Sequence, residues 1–115
     1  MVNHRKKAKC IRVIDGDTID CDVDLDFCFY AKLRLRLARI NAAELNSKDL
    51  AVRERAIKAK EYLTTWLLDK NIEIVSYKTE KYGRYLAEIY IDEQSDFAIN
   101  FNDVLLTTGL VDKYE

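Results

Sequence analysis

From Thr18 onward, apolar and acidic residues alternate without a break. Ile19, Cys21, Val23, Leu25 and Phe27 stand between Asp20, Asp22, Asp24 and Asp26. Successive side chains on a strand point to opposite faces, so the pattern predicts a half-buried strand with an acidic outer row, at least through Val23. A second alternation follows a turn within residues 24–30: Leu33, Leu35 and Leu37 form an inner row against Lys32, Arg34 and Arg36. Opposite charges facing each other across antiparallel strands contribute about 0.2–1 kcal/mol per pair. The simplest reading of Arg34 and Arg36 is therefore pairing with the acidic row. The acidic row itself is a solvated face and not a calcium site, because alternate residues lie ~7 Å apart, too far to share one ion at ligand distances of about 2.3–2.6 Å.

Just upstream stands Asp15-Gly16-Asp17-Thr18, two carboxylates flanking a glycine between strand-like runs. Asp is disfavoured inside strands, and a glycine there marks a bulge or a close approach of another backbone. Asp-Gly is also the commonest signal of a hairpin turn. The tetrapeptide alone favours the turn; the motifs further along the chain shift the reading to a bulge beside an active site. Two acids crowded at one point repel each other unless a cation or an arginine sits between them.

A length of 115 residues fits one small domain with a single core. At 49% hydrophobic and 34% charged residues the chain belongs to the globular class, not the disordered one. Its net charge of −1 excludes the global basic field of a non-specific nucleic-acid binder. Any grip on nucleic acid must be local, through a few arginines or a metal. Residues 1–8, including His4, Arg5, Lys6 and Lys7, read as a flexible basic tail, and residues 9–115 as one domain. Cys10, Cys21 and Cys28 are odd in number and lack C-x-x-C spacing, so they indicate neither a disulfide framework nor a zinc site. Each lies in a strand-like stretch, where a buried free thiol is the default; whether Cys21 meets Cys28 stays open. No apolar run is long enough for a signal peptide or a membrane span. A cytoplasmic monomer in a reducing compartment is the expectation.

The remaining elements follow in order. Residues 9–14 read as a first strand. After residue 37 the alternation breaks into the polar loop Asn41-Ala42-Ala43-Glu44. Asn46 or Ser47 caps a helix of roughly twenty residues, with Asp49 in its first turn. Leu50, Ala56, Ile57, Leu63, Trp66 and Leu67 recur near helical period, Glu54 and Lys58 pair at i,i+4, and Arg53, Arg55, Lys58 and Lys60 form the solvated side. Asn71 stops the helix in a left-handed conformation. Residues 72–77 and 85–91 are strands, joined by a turn in which Gly83 is followed at once by Arg84. A short helix over 102–108, capped by Asn100 or Asn102 and ended by Gly109, precedes a short tail from Leu110. The order contains no βαβ repeat, which argues against a doubly wound parallel sheet. The fold expected is α+β, mainly β: a five-stranded OB-fold barrel with a long helix between strands 3 and 4 and a short C-terminal helix.

In such a barrel Asp15, Asp17, Arg36, Asn41, Glu44 and Arg84 can gather on one side. Two acids with two arginines suit phosphodiester hydrolysis. A hard cation polarises phosphate and neutralises developing charge, guanidinium groups bind phosphate oxygens in forks, and a further carboxylate orients water. Val13-Ile14-Asp15-Gly16-Asp17-Thr18, the Arg36-x7-Glu44 spacing, Lys81-Tyr82-Gly83-Arg84 with Leu86, and the helix from Asn102 ending in Gly109-Leu110 occur in order over nearly the whole chain. On these motifs the sequence resembles the staphylococcal (thermonuclease-like) nuclease family, as a short variant without the family's C-terminal helix. The resemblance implies an OB-fold and calcium-dependent cleavage of DNA and RNA. It implies that Asp17 ligates calcium with Asp15 supporting it nearby, and that Arg36 and Arg84 clamp the scissile phosphate. Glu44 then positions the attacking water, and Lys81, Tyr82 and Leu86 line the nucleotide pocket.

Three departures from the family pattern bear on this. Asn41 stands where the family has a second calcium-ligating Asp, which removes one ligand charge and implies weaker metal binding. Ala43 replaces a common Pro beside Ala42, whose backbone carbonyl is the family's further ligand, so the loop is less rigid. The aromatic residues that stack on the base are largely missing, with Tyr114 the remaining candidate. A second reading, from a binding class, is a catalytically weak OB-fold module that holds nucleic acid or a protein partner.

Overall fold

The computed structural model describes residues 5–79, 85–92 and 97–114. The alternating runs become strands in the register their charges require. β1 (Arg5–Asp15) and β2 (Thr18–Asp24) form an antiparallel hairpin, with Asp15 opposite Thr18. β3 (Tyr30–Leu37) pairs antiparallel with β2, from Thr18 opposite Arg36 to Asp24 opposite Tyr30. Arg34 forks onto Asp20, Nε to Oδ1 at 2.8 Å and Nη2 to Oδ2 at 3.2 Å, which is the cross-strand pairing read from the sequence. Ile19, Cys21, Val23, Leu35 and Leu37 form the buried side. Leu25 and Phe27 do not continue the inner row. They are exposed in the β2–β3 turn, where Asp26, Phe27 and Cys28 all have positive φ. Cys28 is exposed for the same reason, whereas Cys10 and Cys21 are buried free thiols as expected.

β4 (Ile40–Asn41) is short and leads towards α1 (Leu50–Leu67). β5 (Asn71–Thr79) pairs antiparallel with β1 and with β6 (Tyr85–Ile91), and β6 pairs parallel with β3. Among the described residues, the ring β3-β2-β1-β5-β6 thereby closes into a five-stranded mixed barrel of the OB type, with a helix between its third and fourth strands. β7 (Ile99–Asn100) extends β6 and runs directly into α2 (Phe101–Thr107), and β8 (Asp112–Lys113) pairs with β4. Two segments expected to be loose are thus strands. Residues 5–8 pair with β5, Arg5 opposite Val75, because Ala8 and Cys10 face the core and carry the basic residues between them into the sheet. Residues 112–113 pair with the loop after β3.

The helix ends differ from the sequence reading. Asp49 is itself the N-cap of α1: its Oδ1 accepts the N–H groups of Ala51 at 2.9 Å and Val52 at 3.4 Å. Ser47 steadies this cap by accepting the Asp49 N–H at 3.2 Å. Asp69, not Asn71, takes the left-handed conformation after the helix (φ 61°), and Asn71 already begins β5. The buried face of α1 is Ala56, Ala59, Leu63 and Leu67, whereas Leu50, Ile57 and Trp66 are exposed. Clearance decides this at Ala59. A Cβ at Gly16 would stand 2.7 Å from Ala59 Cβ and 2.9 Å from Ala42 Cβ. The helix presents the small Ala59 at the point where the β1–β2 turn presses against it.

Asn100 caps α2 by accepting the Asp103 N–H at 3.1 Å, and Gly109 follows the helix at φ 75°. No helix among the described residues is long and apolar enough to cross a membrane.

Candidate active site

Gly16 and Asp17 are a two-residue turn between paired Asp15 and Thr18, so the tetrapeptide closes a hairpin. This corrects the reading of a bulge within a running strand; the register irregularities lie earlier, between Val13 and Asp15 and between Cys10 and Arg12. The close approach expected of the glycine is present, and it is what packs the turn against Ala42 and Ala59.

Asp17 is only 8% exposed. Its Oδ1 accepts the Thr18 hydroxyl at 3.0 Å, and its Oδ2 accepts the Ala42 N–H at 3.0 Å. Arg36 Nη2 lies 3.7 Å from the same Oδ2 and donates to the Ile40 carbonyl at 3.1 Å. Arg36 is thus held at the end of β3, its side chain 11% exposed, by groups that leave its guanidinium plane beside the turn. Asp15 Oδ1 accepts the Asp17 N–H at 3.1 Å. Burial, with the neighbouring Asp17 carboxylate adding to it, pushes the Asp15 carboxyl up to about 6.

That shift has a sign. Folded Asp15 keeps its proton to about pH 6, while the unfolded residue loses it near 3.8. The stability it contributes is therefore present below pH 3.8 and lost as pH rises through 6. Asp15→Asn keeps the acceptor for Asp17 N–H and removes the charge. In EDTA at pH 7 the variant is expected to be more stable than the parent by about 1 kcal/mol, discounted for partial exposure. The two should converge below pH 4, as urea unfolding at both pH values would show.

The other candidate residues fall into three groups. Leu86 pairs in register with Arg36 across β3 and β6, half-buried beside it. Asn41 on β4 and Glu44 in the following loop are exposed at the surface. Lys81, Tyr82 and Arg84 lie outside the described residues.

The tertiary structure adds partners that sequence reasoning missed. The Tyr114 ring centroid stands 5.0 Å from Arg36 Cζ, and the Tyr114 N–H donates to the Arg39 carbonyl at 2.9 Å. Arg55, read as solvated, forks onto Asp112 at 3.0 and 3.2 Å and onto the Gly109 carbonyl at 2.9 and 3.1 Å, tying this segment to α1. Arg39 grips the buried Glu88 and reaches Asp103 at 2.8 Å, fixing the turn after β3 against β6 and α2. Thr18 had a local signal, its place beside Asp17. Tyr114 stood in the sequence only as a candidate for base stacking; its contact with Arg36, like that of Arg55 with Asp112, had no local signal because the partners are distant in sequence.

Among the described residues, no three His, Cys, Asp or Glu side chains gather as a metal-holding group. The donor chemistry still suits one hard cation. The carboxylates of Asp15 and Asp17 share the turn, and the adjacent Asn41 and Ala42 carry neutral oxygen donors. Such a set has few charges and favours weak binding.

The profile of the family described as "Staphylococcal nuclease homologue" matches residues 34–115. The chain belongs to this family. It is 29% identical over 127 residues to an uncharacterized protein of Methanocaldococcus jannaschii, covering 93% of this chain and 58% of that relative. It is 32% identical over 88 residues to a probable endonuclease lcl3 of Aspergillus flavus, covering 72% of this chain and 32% of the relative. A probable endonuclease lcl3 of Emericella nidulans is 33% identical over the same length, with 31% of the relative covered. The nuclease-family chain described here thus spans about three fifths of the archaeal relative and about a third of the fungal ones.

Proposed function

We propose that this chain is a metal-dependent endonuclease that hydrolyses phosphodiester bonds in DNA or RNA, with calcium as the ion. The observation that supports the reading is the Asp17–Arg36 juxtaposition: an acid on the β1–β2 turn beside Asp15, and a guanidinium from the end of β3 3.7 Å away. An arginine needs no buried acid to stay charged, and a carboxylate pair needs a cation; together they make a place where phosphate and metal can meet.

Asp17, Asn41 and the Ala42 carbonyl are the residues that would hold calcium, with Asp15 supporting Asp17 through its backbone N–H. When bound, the ion would polarise a phosphate oxygen and offset developing charge. Arg36 and Arg84 fork onto the phosphate oxygens and stabilise the pentacoordinate transition state. Glu44 positions the attacking water. Lys81, Tyr82 and Leu86 line the nucleotide pocket. One chain carries every residue assigned here, so a monomer suffices.

Nicking of a supercoiled plasmid tests the proposal. Cleavage is expected with calcium and not with EDTA, and Arg84→Ala should abolish it. Cleavage indifferent to EDTA would overturn the metal mechanism. Binding without cleavage would favour the second reading, a nucleic-acid-binding or protein-binding module. The exposed, neutral Asn41 is the observation on that side.

Asn41 supplies a sharper measurement. Asn41→Asp restores a ligand charge, and calcium affinity follows charge count, so the variant should saturate at calcium levels lower by on the order of tenfold. The parent should need millimolar calcium. Calorimetric titration of both proteins reads this directly, and micromolar saturation of the parent would contradict it.

A further inference from the structure

Cys10 and Cys21 are directly opposite each other on β1 and β2, both are fully buried, and the proposed site uses neither. The backbone fixes how close they stand. The Cys10 N–H donates to the Lys70 carbonyl at 3.2 Å, and the Cys10 carbonyl accepts the Asp69 N–H at 2.8 Å. Both main-chain groups of Cys10 therefore point away from β2, so Cys10–Cys21 is a non-hydrogen-bonded pair. Such pairs are the narrow ones, with Cα atoms about 4.5 Å apart and side chains in contact. That separation lies within the roughly 4.4–6.8 Å between Cα atoms that a disulfide spans. The Cys10 thiol donates to the Arg12 carbonyl at 3.7 Å. The neighbouring Cys21 thiol holds Cys10 below the usual thiol range, while Cys10 and burial push Cys21 up.

We infer that Cys10 and Cys21 form a redox site, closed by a small-molecule disulfide oxidant into a cross-strand disulfide that locks the hairpin carrying Asp15 and Asp17. The Cys10 thiolate attacks one sulfur of the oxidant, forming a mixed disulfide and releasing one thiol. Cys21 then gives up its proton and attacks the Cys10 sulfur, breaking the mixed disulfide and releasing the second thiol. Two protein thiols lose two electrons, and the oxidant disulfide is reduced to two thiols. Because both sulfurs are buried, the exchange proceeds as the chain folds or as the hairpin opens locally.

The test is refolding of full-length Cys28→Ser with oxidised glutathione, followed by thiol counting, peptide mapping and thermal melting. Wild-type protein alkylated at exposed Cys28 in the folded state serves as a second sample, free of any substitution. Expected are loss of both remaining thiols, a Cys10–Cys21 linked peptide, a monomer about 2 Da lighter, and a melting midpoint higher by about 5 °C that reductant reverses. Thiols that stay reduced in both samples would overturn the inference. So would links only between chains, or a linked protein that melts lower.

Discussion

Arg36→Ala is expected to lower the rate of phosphodiester cleavage by roughly two to three orders of magnitude, the usual cost of removing one preorganised donor to developing charge. The guanidinium is already oriented before substrate arrives. The Ile40 carbonyl accepts from Nη2 at 3.1 Å, Asp17 Oδ2 lies at 3.7 Å, and the Tyr114 ring stands 5.0 Å away. A group placed this way loses little freedom when phosphate binds, so most of its contribution appears in the transition state. Arg36→Lys keeps the charge and loses the fork, and should recover only a small part of the rate. The informative measurement is kcat and KM for both variants at saturating calcium, with a thermal melt to confirm folding. A rise in KM with kcat unchanged would mean that Arg36 only binds substrate, and the proposed role would fall.

Asn102→Ala is expected to lower stability by about 3–5 kcal/mol, a large share of what a domain of this size has. Asn102 is wholly buried. Its Oδ1 accepts the Ile89 N–H at 3.0 Å, and its Nδ2 donates to the Ala38 carbonyl at 2.9 Å and the Ala87 carbonyl at 3.1 Å. One amide thus joins α2, β6 and the turn that follows β3. Truncation strands a backbone donor and removes a partner from two carbonyls, in a place water does not reach. Asn102→Asp keeps the acceptor and should still be destabilising, since it loses both donated bonds and buries a charge. Urea unfolding of the three proteins measures the loss. A cost under about 1 kcal/mol would show that the surrounding backbone finds other partners. Because Ala38 follows the end of β3, activity in Asn102→Ala should fall even below its unfolding temperature, as Arg36 loses its fixed position.

Much of the barrel was legible because strand periodicity is local. Two residues of spacing separate inside from outside, and the facing rows of Asp20 and Arg34 state which strands are neighbours. Gly16 was legible as a close approach for a similar reason: a missing Cβ is itself the signal, and Ala59 and Ala42 occupy the space. The turn reading of Asp15-Gly16-Asp17-Thr18 was also local, and preferring a bulge over it misjudged a motif that serves as both hairpin and site. Local spacing did not say which face of α1 is buried. Leu50, Ile57 and Trp66 are larger than Ala59, yet Ala59 is the residue buried against the β1–β2 turn, where the clearance at Gly16 admits nothing bigger.

By itself the sequence determined the five barrel strands to within a few residues, the two helices and the inventory of acids and arginines, since each rests on local periodicity or on residue chemistry alone. Only the tertiary structure decided that Asp17 meets Ala42 and Arg36, that Tyr114 comes to stand beside that arginine, and that Cys10 faces Cys21 across the narrow pair. The meetings of Asp17 and Tyr114 depend on the packing of β3 and on Arg55 and Asn102 fastening the C-terminal segments. The pairing of Cys10 with Cys21 depends on the register of the β1–β2 hairpin. No periodicity encodes these meetings, because each is held by pairing between separate elements.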